Sequence, residues 1–338
     1  MLREAIQKLV EGKDLTRKEV IGAMNCIMEG EATQAQIGSF ITALRLKGET
    51  IDEITGCAMV MREKAQRIYP RVDYLIDTCG TGGDNSNTFN ISTAVAIVAA
   101  ASGAAVAKHG NRSVSSRSGS ADVLEALGVT ISLEPGQVEA CIEKTGIGFM
   151  FAPSFHKSMK HAAGPRRELG IRTIFNVLGP LTNPAGAKGQ VLGVFDAALT
   201  EPMAYVLMNL GVERALVVHG CDGLDEITVT GSTRVSEVRD GKVTSYEIDP
   251  GMFGVERASR ADIEGGDAAR NAEIIDSIFH NCRGPARDIV LMNAAAALYV
   301  GKKVSSLKDG FEAASLAIES GRAAQKLEQL KQYTGGVM

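Results

Sequence analysis

The sequence predicts an α/β protein in which a small all-helical N-terminal domain precedes a large α/β domain with a mainly parallel central sheet. Three observations support this prediction. Helix-start signals recur every 17 residues before residue 68, and apolar strand-like runs alternate with helical runs after residue 73. The first of those strands leads into a glycine-rich loop and a helix. Alternating strands and helices are typical of βαβ units, whose strands pair in parallel.

The helical domain is predicted for residues 1–70. Residues 16–19, 33–36 and 50–53 each carry the capping-box pattern T-x-x-E or T-x-x-Q before an amphipathic run. Helices at this spacing fold into compact antiparallel pairs. Their apolar stripes predict either a core or a subunit contact. We expect short helical pieces near 155–182, which prolines interrupt, to complete this domain.

The α/β domain is predicted for residues 71–338, after a linker at residues 69–71. Its candidate strands are short apolar runs at 74–78, 104–107, 148–151, 190–194 and 214–219. Residues 228–247 alternate apolar and polar side chains around an Asp240-Gly241 turn, which indicates antiparallel strands or a hairpin. Helical patterns close the fold at 268–281, 285–300 and 309–332.

The first predicted strand leads into a loop with the composition of a phosphate site. Residues 77–93 contain glycines at 80, 82 and 83, then amide and hydroxyl side chains, before an apolar helical run at 94–101. Main-chain N–H groups of a glycine turn, followed by a helix N-terminus, form an anion cradle. The loop lacks the dinucleotide and P-loop fingerprints. Taken alone, it fits an ordinary strand-to-helix turn equally well.

A second polar loop follows the next predicted strand. Residues 108–120 are mostly Lys, Arg, Gly and Ser, and a helical run at 121–127 ends at Gly128. Parallel strands place both loops at the same carboxyl edge of the sheet, where α/β proteins bind ligands. Two adjacent anion loops predict a ligand with phosphate at both ends, or with one phosphate and one pyrophosphate.

Two further segments carry candidate functional charges. Arg166, Arg167 and Arg172 lie in a proline-punctuated stretch. An arginine fork suits a carboxylate, although a solvated or ion-paired arginine is commoner. Asp225 and Glu226 follow the strand at 214–219 on a glycine-containing turn. Hard oxygen ligands beside a phosphate site indicate Mg²⁺, and adjacent side chains diverge, so the pair suits two ions better than chelation of one. A solvated acidic turn is the alternative.

Bulk composition excludes several classes of protein. A net charge of −4 and a pI of about 5.8 disfavour a general nucleic-acid-binding surface. The six cysteines lie far apart and form no C-x-x-C motif, which disfavours zinc sites and disulfides and fits a reducing cytoplasm. We see no signal-peptide core or membrane-spanning run. The sequence thus predicts a cytoplasmic protein that binds small molecules rather than nucleic acid or membrane.

Seven motifs, in order along the chain, resemble those of the anthranilate phosphoribosyltransferase family of tryptophan biosynthesis. They are G-T-G-G-D (80–84), N-I-S-T (90–93), K-H-G-N-R-S-V-S-S (108–116), G-S-A-D (119–122), R-x-x-L-G-I-R-T-I-F-N (166–176), L-G-P-L-T-N-P (178–184) and D-G-L-D-E (222–226). The resemblance covers essentially the whole chain. It implies a fold of the nucleoside phosphorylase/phosphoribosyltransferase type and a homodimer formed through the helical domains.

The resemblance also implies a reaction. The amine of anthranilate displaces diphosphate from 5-phosphoribosyl 1-diphosphate, giving N-(5-phosphoribosyl)anthranilate, with Mg²⁺ as cofactor at two expected ions per subunit. An aromatic amine is already neutral at pH 7, so the reaction does not need a strong general base. We expect no covalent enzyme intermediate. The difficulty lies in the departing diphosphate, which bound metal, Lys108 and loop amides can stabilise.

Site residues follow from the resemblance by position in the motifs. The positions matching the phosphoribosyl diphosphate site are Gly80, Gly83, Asp84, Thr88, Asn90, Ile91, Ser92, Thr93, Lys108, His109, Gly110, Asn111, Arg112, Ser113, Val114, Ser115, Ser116 and Ser120. Gly80, Asn111 and Arg166 match anthranilate contacts, and Ser92, Asp225 and Glu226 match metal positions. Lys108 and His109 are the expected catalytic residues. His109 either orients the amine or relays a proton, and a purely structural donor is the equal alternative.

Three other functions fit parts of the sequence. A pyrimidine nucleoside phosphorylase has a similar fold, but its S-G-R-G-type signature is absent and phosphorolysis does not need the acidic pair. The other large phosphoribosyltransferase class carries an acidic pair in its loop, of which residues 76–77 supply one acid. A non-enzymatic nucleic-acid-binding relative is disfavoured by the acidic pI and the intact loops.

Overall fold

The computed structural model describes residues 1–84, 86–113 and 117–336. It begins with four helices, α1 (Leu2–Val10), α2 (Arg17–Met28), α3 (Gln34–Lys47) and α4 (Ile51–Lys64). All three predicted capping boxes form. In each, the threonine side chain accepts the N–H of the residue three positions later, whose own side chain accepts the threonine N–H. The predicted starts of these helices are therefore confirmed.

The remaining elements build a sheet and its covering helices. In chain order they are β1 (Leu75–Gly80), α5 (Ile91–Ala101), β2 (Ala105–Gly110), α6 (Ser120–Ala126), α7 (Pro135–Thr145), β3 (Ile147–Phe151), α8 (Ala152–Phe155), α9 (Lys160–Leu169), α10 (Phe175–Leu178), β4 (Gly189–Gly193), α11 (Thr200–Asn209), β5 (Arg214–Gly220), β6 (Thr233–Arg239), β7 (Lys242–Ile248), α12 (Ala268–Phe279), α13 (Pro285–Val300), α14 (Leu307–Glu319) and α15 (Arg322–Gly335).

The sheet has the order β3-β2-β1-β4-β5-β6-β7. Strands β1 to β5 pair in parallel, and β6 pairs antiparallel with both β5 and β7. Asp240 and Gly241 take φ values of 52° and 71° in the β6–β7 turn, as a tight two-residue hairpin requires. The predicted fold class, the five parallel strands and the hairpin are confirmed.

The two largest hydrophobic clusters of the described residues join the helices to the sheet. On one face, α5 and the almost wholly buried α13 pack against the sheet, with Val191 and Leu216 facing them. On the other, the core of α1–α4, built around Phe40 and Ile41, continues into Leu192 and Val217 of the sheet. Helix α9 packs against α2 and α3. The domain boundary between residues 70 and 71 stays a prediction.

One helix prediction was wrong. The helical pattern at 309–332 forms two helices, α14 and α15, rather than one. Gly321 separates them in a left-handed conformation, with φ of 76°. A residue with positive φ cannot continue a right-handed helix, and glycine adopts it at low cost. In the described part of the chain, no helix has the length and apolar character needed to cross a membrane.

Candidate active site at the carboxyl ends of the parallel strands

The strand order reverses between β1 and β4, and three loops meet beside this point. The chain proceeds from β1 outward to β2 and β3, then returns to β4 and β5 on the other side. Such a reversal opens a crevice at the carboxyl ends of the strands. The Gly82 N–H donates to Asp225 Oδ2 at 2.8 Å, and Asn90 Nδ2 donates to the Ser118 carbonyl at 3.1 Å. The loops after β1, β2 and β5 therefore form one site.

Two glycines allow the loop after β5 to reach this crevice. A Cβ at Gly80 would overlap the Asp225 carboxylate, and a Cβ at Gly193 would overlap the Asp225 main chain. Glycine in a strand often marks such a close approach of another backbone. Sequence reasoning identified Gly80 but missed Gly193, although its position at the end of a short apolar strand was the available signal.

Three carboxylates gather where the metal residues were predicted. Burial and the charge of Asp84 raise the pKa of Asp225 to about 7. Burial and the charge of Asp225 raise the pKa of Glu226 well above its usual range. The Ser92 main-chain N–H donates to the Glu226 carboxylate. Asp84 Oδ2 is buried and has no hydrogen-bond partner among the described residues.

This donor set fits Mg²⁺. Clustered carboxylate oxygens that repel one another, one of them unpartnered, are relieved by a hard divalent cation. The described residues contain no group of three His, Cys, Asp or Glu side chains arranged as a complete metal site. A Mg²⁺ ion at this place would therefore need further oxygen ligands, and substrate phosphates supply them in many proteins. Ser92, Asp225 and Glu226 are thus brought together, and Asp84 joins them.

Lys108 is buried beneath the first loop, 3% exposed. Its Nζ donates to the Thr78 carbonyl at 2.6 Å and to Ser92 Oγ at 3.2 Å. Burial lowers the pKa of Lys108, while the charge of Asp77 acts in the opposite direction. Within the described residues, two of the three ammonium donors are used, so the third can serve an anion beside Ser92.

Asp77, inside β1, is a site residue that sequence reasoning missed. It is fully buried, and burial raises its pKa. Its carboxylate accepts the His109 N–H at 3.3 Å and Asn183 Nδ2 at 2.7 Å. Asn183 Nδ2 also donates to the Ala107 carbonyl at 2.8 Å. Asp77 therefore fixes the start of the second loop. The signal was a carboxylate within an apolar strand pattern.

His109 faces His156, a second residue that was missed. Their ring centroids lie 5.0 Å apart. Burial lowers the pKa of His109 to about 3 and that of His156 to about 4, so both are neutral at pH 7. The Nε2 atom of each is buried without a partner among the described residues. The Nε2 atom of each imidazole can therefore form one hydrogen bond with a bound polar group.

The second loop turns partly back onto α6. Asn111 Oδ1 accepts the Arg112 N–H at 2.8 Å, and the Asn111 carbonyl accepts Ser120 Oγ at 3.3 Å. The Arg112 guanidinium pairs with Asp122 at 2.9 Å and Glu125 at 2.5 Å, so here it faces α6. A Cβ at Gly110 would overlap Ser120 Oγ, and the Ser113 N–H donates to Asp122 Oδ2 at 3.1 Å. The predicted residues Val114, Ser115 and Ser116 lie outside the described residues.

The first loop is held at both ends. Thr88 forms a β-bridge with Glu264. Ile91 begins α5 as a buried residue, and the Thr93 hydroxyl of its first turn is buried without a partner in the described part of the chain. The Gly83 carbonyl accepts a hydrogen bond from the Arg172 guanidinium. The predicted loop residues therefore surround the N-terminus of α5, as an anion site requires.

The three arginines have different environments. Arg172 braces the first loop and stacks on Phe195 at 4.4 Å. Arg167 is exposed. Arg166 is partly buried over the Phe175 ring at 5.0 Å, and burial lowers its pKa. Among the described residues, nothing forms a hydrogen bond or ion pair with the Arg166 guanidinium. Arg167 is unpaired too among the described residues, but it is exposed to water, whereas partial burial of Arg166 strengthens an ion pair with a ligand carboxylate.

Comparison with known proteins gives a single family. Residues 3–65 match the helical bundle domain of a glycosyl transferase family, and residues 73–324 match its a/b domain. The chain is 68% identical to an anthranilate phosphoribosyltransferase from Acetivibrio thermocellus, covering 99% of this chain and 97% of the relative. It is 58% identical to one from Alkaliphilus metalliredigens, covering 98% and 97%.

Solved structures agree. The anthranilate phosphoribosyltransferase of Thermus thermophilus superposes with a TM-score of 0.93 at 43% identity, covering 98% of this chain and 99% of that one. The Saccharomyces cerevisiae enzyme in complex with PRPP and Mg superposes with a TM-score of 0.91 at 28% identity, covering 99% and 98%. The same yeast enzyme has been solved with 4-fluoroanthranilate, at a TM-score of 0.89.

Proposed function

The chain belongs to the anthranilate phosphoribosyltransferase family, and we propose on that premise that it transfers the phosphoribosyl group of 5-phosphoribosyl 1-diphosphate to the amine of anthranilate. The products are N-(5-phosphoribosyl)anthranilate and diphosphate, in tryptophan biosynthesis. The observation that carries the proposal is the meeting of two anion loops with an acidic cluster, joined by the Gly82–Asp225 hydrogen bond. A donor with a phosphate at one end, a diphosphate at the other and a bound cation matches two anion loops beside an acidic cluster.

The donor site consists of the loops after β1 and β2. The positive end of α5 and the Thr93 hydroxyl, which has no partner in the described ranges of the chain, suit phosphate oxygens. Ser92, Asp225 and Glu226 would hold Mg²⁺, and we propose two ions because the two carboxylates have different main-chain partners, Gly82 for Asp225 and Ser92 for Glu226. Bound Mg²⁺ supplies positive charge to the leaving diphosphate. Lys108, with one ammonium donor left among the described residues, adds a fixed charge from a buried position, where electrostatic stabilisation is stronger than in water.

The acceptor site lies toward Arg166. Its guanidinium, without an acidic partner among the described residues, can bind the anthranilate carboxylate through two parallel hydrogen bonds. Gly80 and Asn111 would contact the ring and the amine. A neutral His109, with Nε2 unpartnered, is suited to hold or accept one amine proton through a hydrogen bond rather than to act as a strong base. The two substrates then react directly, with no ribosylated enzyme.

We further propose a cytoplasmic homodimer joined through residues 1–70, completed by the helical pieces near 155–182. Val10 and Leu46, at the ends of α1 and α3, are 69% and 83% exposed. Exposed apolar side chains on a small helical bundle support a subunit contact. Sedimentation of the purified protein tests this: a single species of twice the chain mass, with a monomer after Leu46→Glu, is the expected result.

An omission assay tests the reaction. Pure protein is mixed with anthranilate, 5-phosphoribosyl 1-diphosphate and Mg²⁺, and loss of anthranilate fluorescence is followed while each component is left out in turn. We expect loss only with all three, and stoichiometric release of diphosphate. Unchanged fluorescence from a folded protein would overturn the proposal, and nucleoside phosphorolysis would then be assayed.

A further inference from the structure

A buried asparagine outside all of the predicted motifs, Asn271 in the first turns of α12, lies against the donor loops. It is 1% exposed. Its Oδ1 accepts the Gly266 N–H at 2.7 Å, and its Nδ2 donates to Asn90 Oδ1 at 3.0 Å. Asn90 in turn donates through Nδ2 to the Ser118 carbonyl at 3.1 Å. This chain of amides joins three segments that are distant in sequence.

The segment before α12 packs so closely on the first loop that no side chain fits at Gly265. The Gly265 N–H donates to the Asn87 carbonyl at 2.8 Å. A Cβ at Gly265 would lie 2.7 Å from Asn271 Oδ1 and 2.5 Å from the Phe89 main-chain nitrogen. Both distances are too short for a side chain. Residues 265–271 are thus packed directly on the first loop, and Asn271 is set in position by its own chain.

We propose that Asn271 is a positioning residue for the phosphoribosyl donor, acting through Asn90; this inference rests on the proposed function. An amide can rotate by 180° and exchange its donor and acceptor. Because Asn271 Nδ2 donates to Asn90, the Asn90 amide must turn its Oδ1 toward Asn271. Its Nδ2 then points to the Ser118 carbonyl. The first and second donor loops are thereby held in one relative position before substrate binds. Preorganisation of this kind improves binding by reducing the ordering cost.

Only an amide side chain of the length of asparagine can both accept the Gly266 N–H and donate to Asn90 Oδ1. In the Asn271→Asp variant, the new carboxylate would still accept from Gly266 but could not donate, so Asn90 would rotate its nitrogen toward the carboxylate and release Ser118. We expect Asn271→Asp to weaken binding of 5-phosphoribosyl 1-diphosphate about 10-fold, the usual effect of losing one buried hydrogen bond. The KM for anthranilate, whose proposed carboxylate contact Arg166 lies on α9 rather than on either donor loop, should change less than about twofold.

Calorimetric titration with 5-phosphoribosyl 1-diphosphate and Mg²⁺, together with initial rates against each substrate, tests the inference. Asn271→Ser is the second variant, in case Asn271→Asp fails to fold. Ser277→Ala is the matched control, because the Ser277 hydroxyl donates within α12, to the Ile274 carbonyl at 2.7 Å. In an Asn90→Ala background, substitution of Asn271 should have little further effect.

The results expected from the proposal differ from those that would contradict it. Weaker donor binding that disappears in the Asn90→Ala background supports the inference. Donor binding at the wild-type level, equal loss for both substrates, or fully additive effects of the two substitutions would overturn it. The calorimetric measurement does not depend on turnover. Failure of the proposed function would instead appear as no consumption of anthranilate by the wild-type protein.

Discussion

The helical region and the carboxyl edge of the sheet both bury charged side chains, but they satisfy them differently. In the helical region, Glu53 is fully buried and accepts the Leu15 N–H at 2.9 Å, the Thr50 N–H at 2.8 Å and Lys47 Nζ at 2.9 Å. At the sheet edge, the Asp225 carboxylate accepts the main-chain N–H groups of Gly82 and of Asp225 itself, and burial and the charge of Asp84 raise its pKa.

The difference separates a structural charge from a functional one. A buried carboxylate with donors on every side and a cation beside it is complete within the chain. A group of carboxylates whose pKa values are raised by burial and by one another is complete only when a cation or ligand arrives. The same contrast holds for Lys47, which pairs with Asp14 and Glu53, and Arg166, which has no acidic partner in the described part of the chain.

The largest expected effect comes from neutralising the acidic cluster. Asp225→Asn combined with Glu226→Gln should lower turnover about 1,000-fold, the range observed when electrostatic stabilisation of a transition state is removed. The melting temperature should stay the same or rise, because repulsion with Asp84 is relieved. Glu53→Gln is the contrasting control: it should lower the melting temperature and leave the turnover of the folded enzyme unchanged. Parental turnover by the double variant at equal Mg²⁺ would remove the metal assignment.

The next effect tests why the acidic cluster can form. Gly193→Ala should lower kcat/KM about 100-fold, because the new Cβ displaces the Asp225 main chain from β4. Gly136→Ala is the matched control, since nothing lies within 4 Å of a Cβ there. Steady-state kinetics measure the activity of both variants, and circular dichroism checks that both are folded. If Gly193→Ala retained full activity, the close approach of these backbones would not matter to the site.

Sequence reasoning predicted the parts of this site that local chemistry specifies. Capping boxes, alternating strands and helices, glycine loops and the Asp225-Glu226 pair are visible because each depends on residues a few positions apart. The contact partner of Gly193 lies 32 positions later in the chain, and that of Asn271, Asn90, lies 181 positions earlier, so neither contact is specified by neighbouring residues. Such partners are set by tertiary packing, which a single sequence does not display.

A smaller effect is expected at the unpaired arginine. Arg166→Ala should raise the KM for anthranilate about 10-fold or more, because a charge-assisted pair with the substrate carboxylate is lost. The KM for 5-phosphoribosyl 1-diphosphate should change little. Arg167→Ala, an exposed neighbour on the same helix, is the control and should behave as wild type. Equal increases in the two KM values would place Arg166 outside the acceptor site.

The smallest effect concerns the pH dependence of stability without Mg²⁺ or substrate. The pKa of Asp225 is raised from an ordinary 3.8 to about 7, so the folded state holds a proton that the unfolded state has lost between those values. Stability contributed by this group therefore falls as pH rises from about 4 to about 7. His109 and His156, whose pKa values are lowered to about 3 and about 4, act in the opposite sense over part of that range.

A difference between two proteins cancels the histidine contributions. The free energy of unfolding of Asp225→Asn minus that of the wild type, measured by urea denaturation, should increase from pH 4 to pH 7 and then level off. Added Mg²⁺ with 5-phosphoribosyl 1-diphosphate should reduce this difference, because the cation then stabilises the ionised Asp225. A flat difference for Asp225→Asn would mean that the acidic cluster is as fully satisfied as Glu53, and the contrast between the two regions would fail.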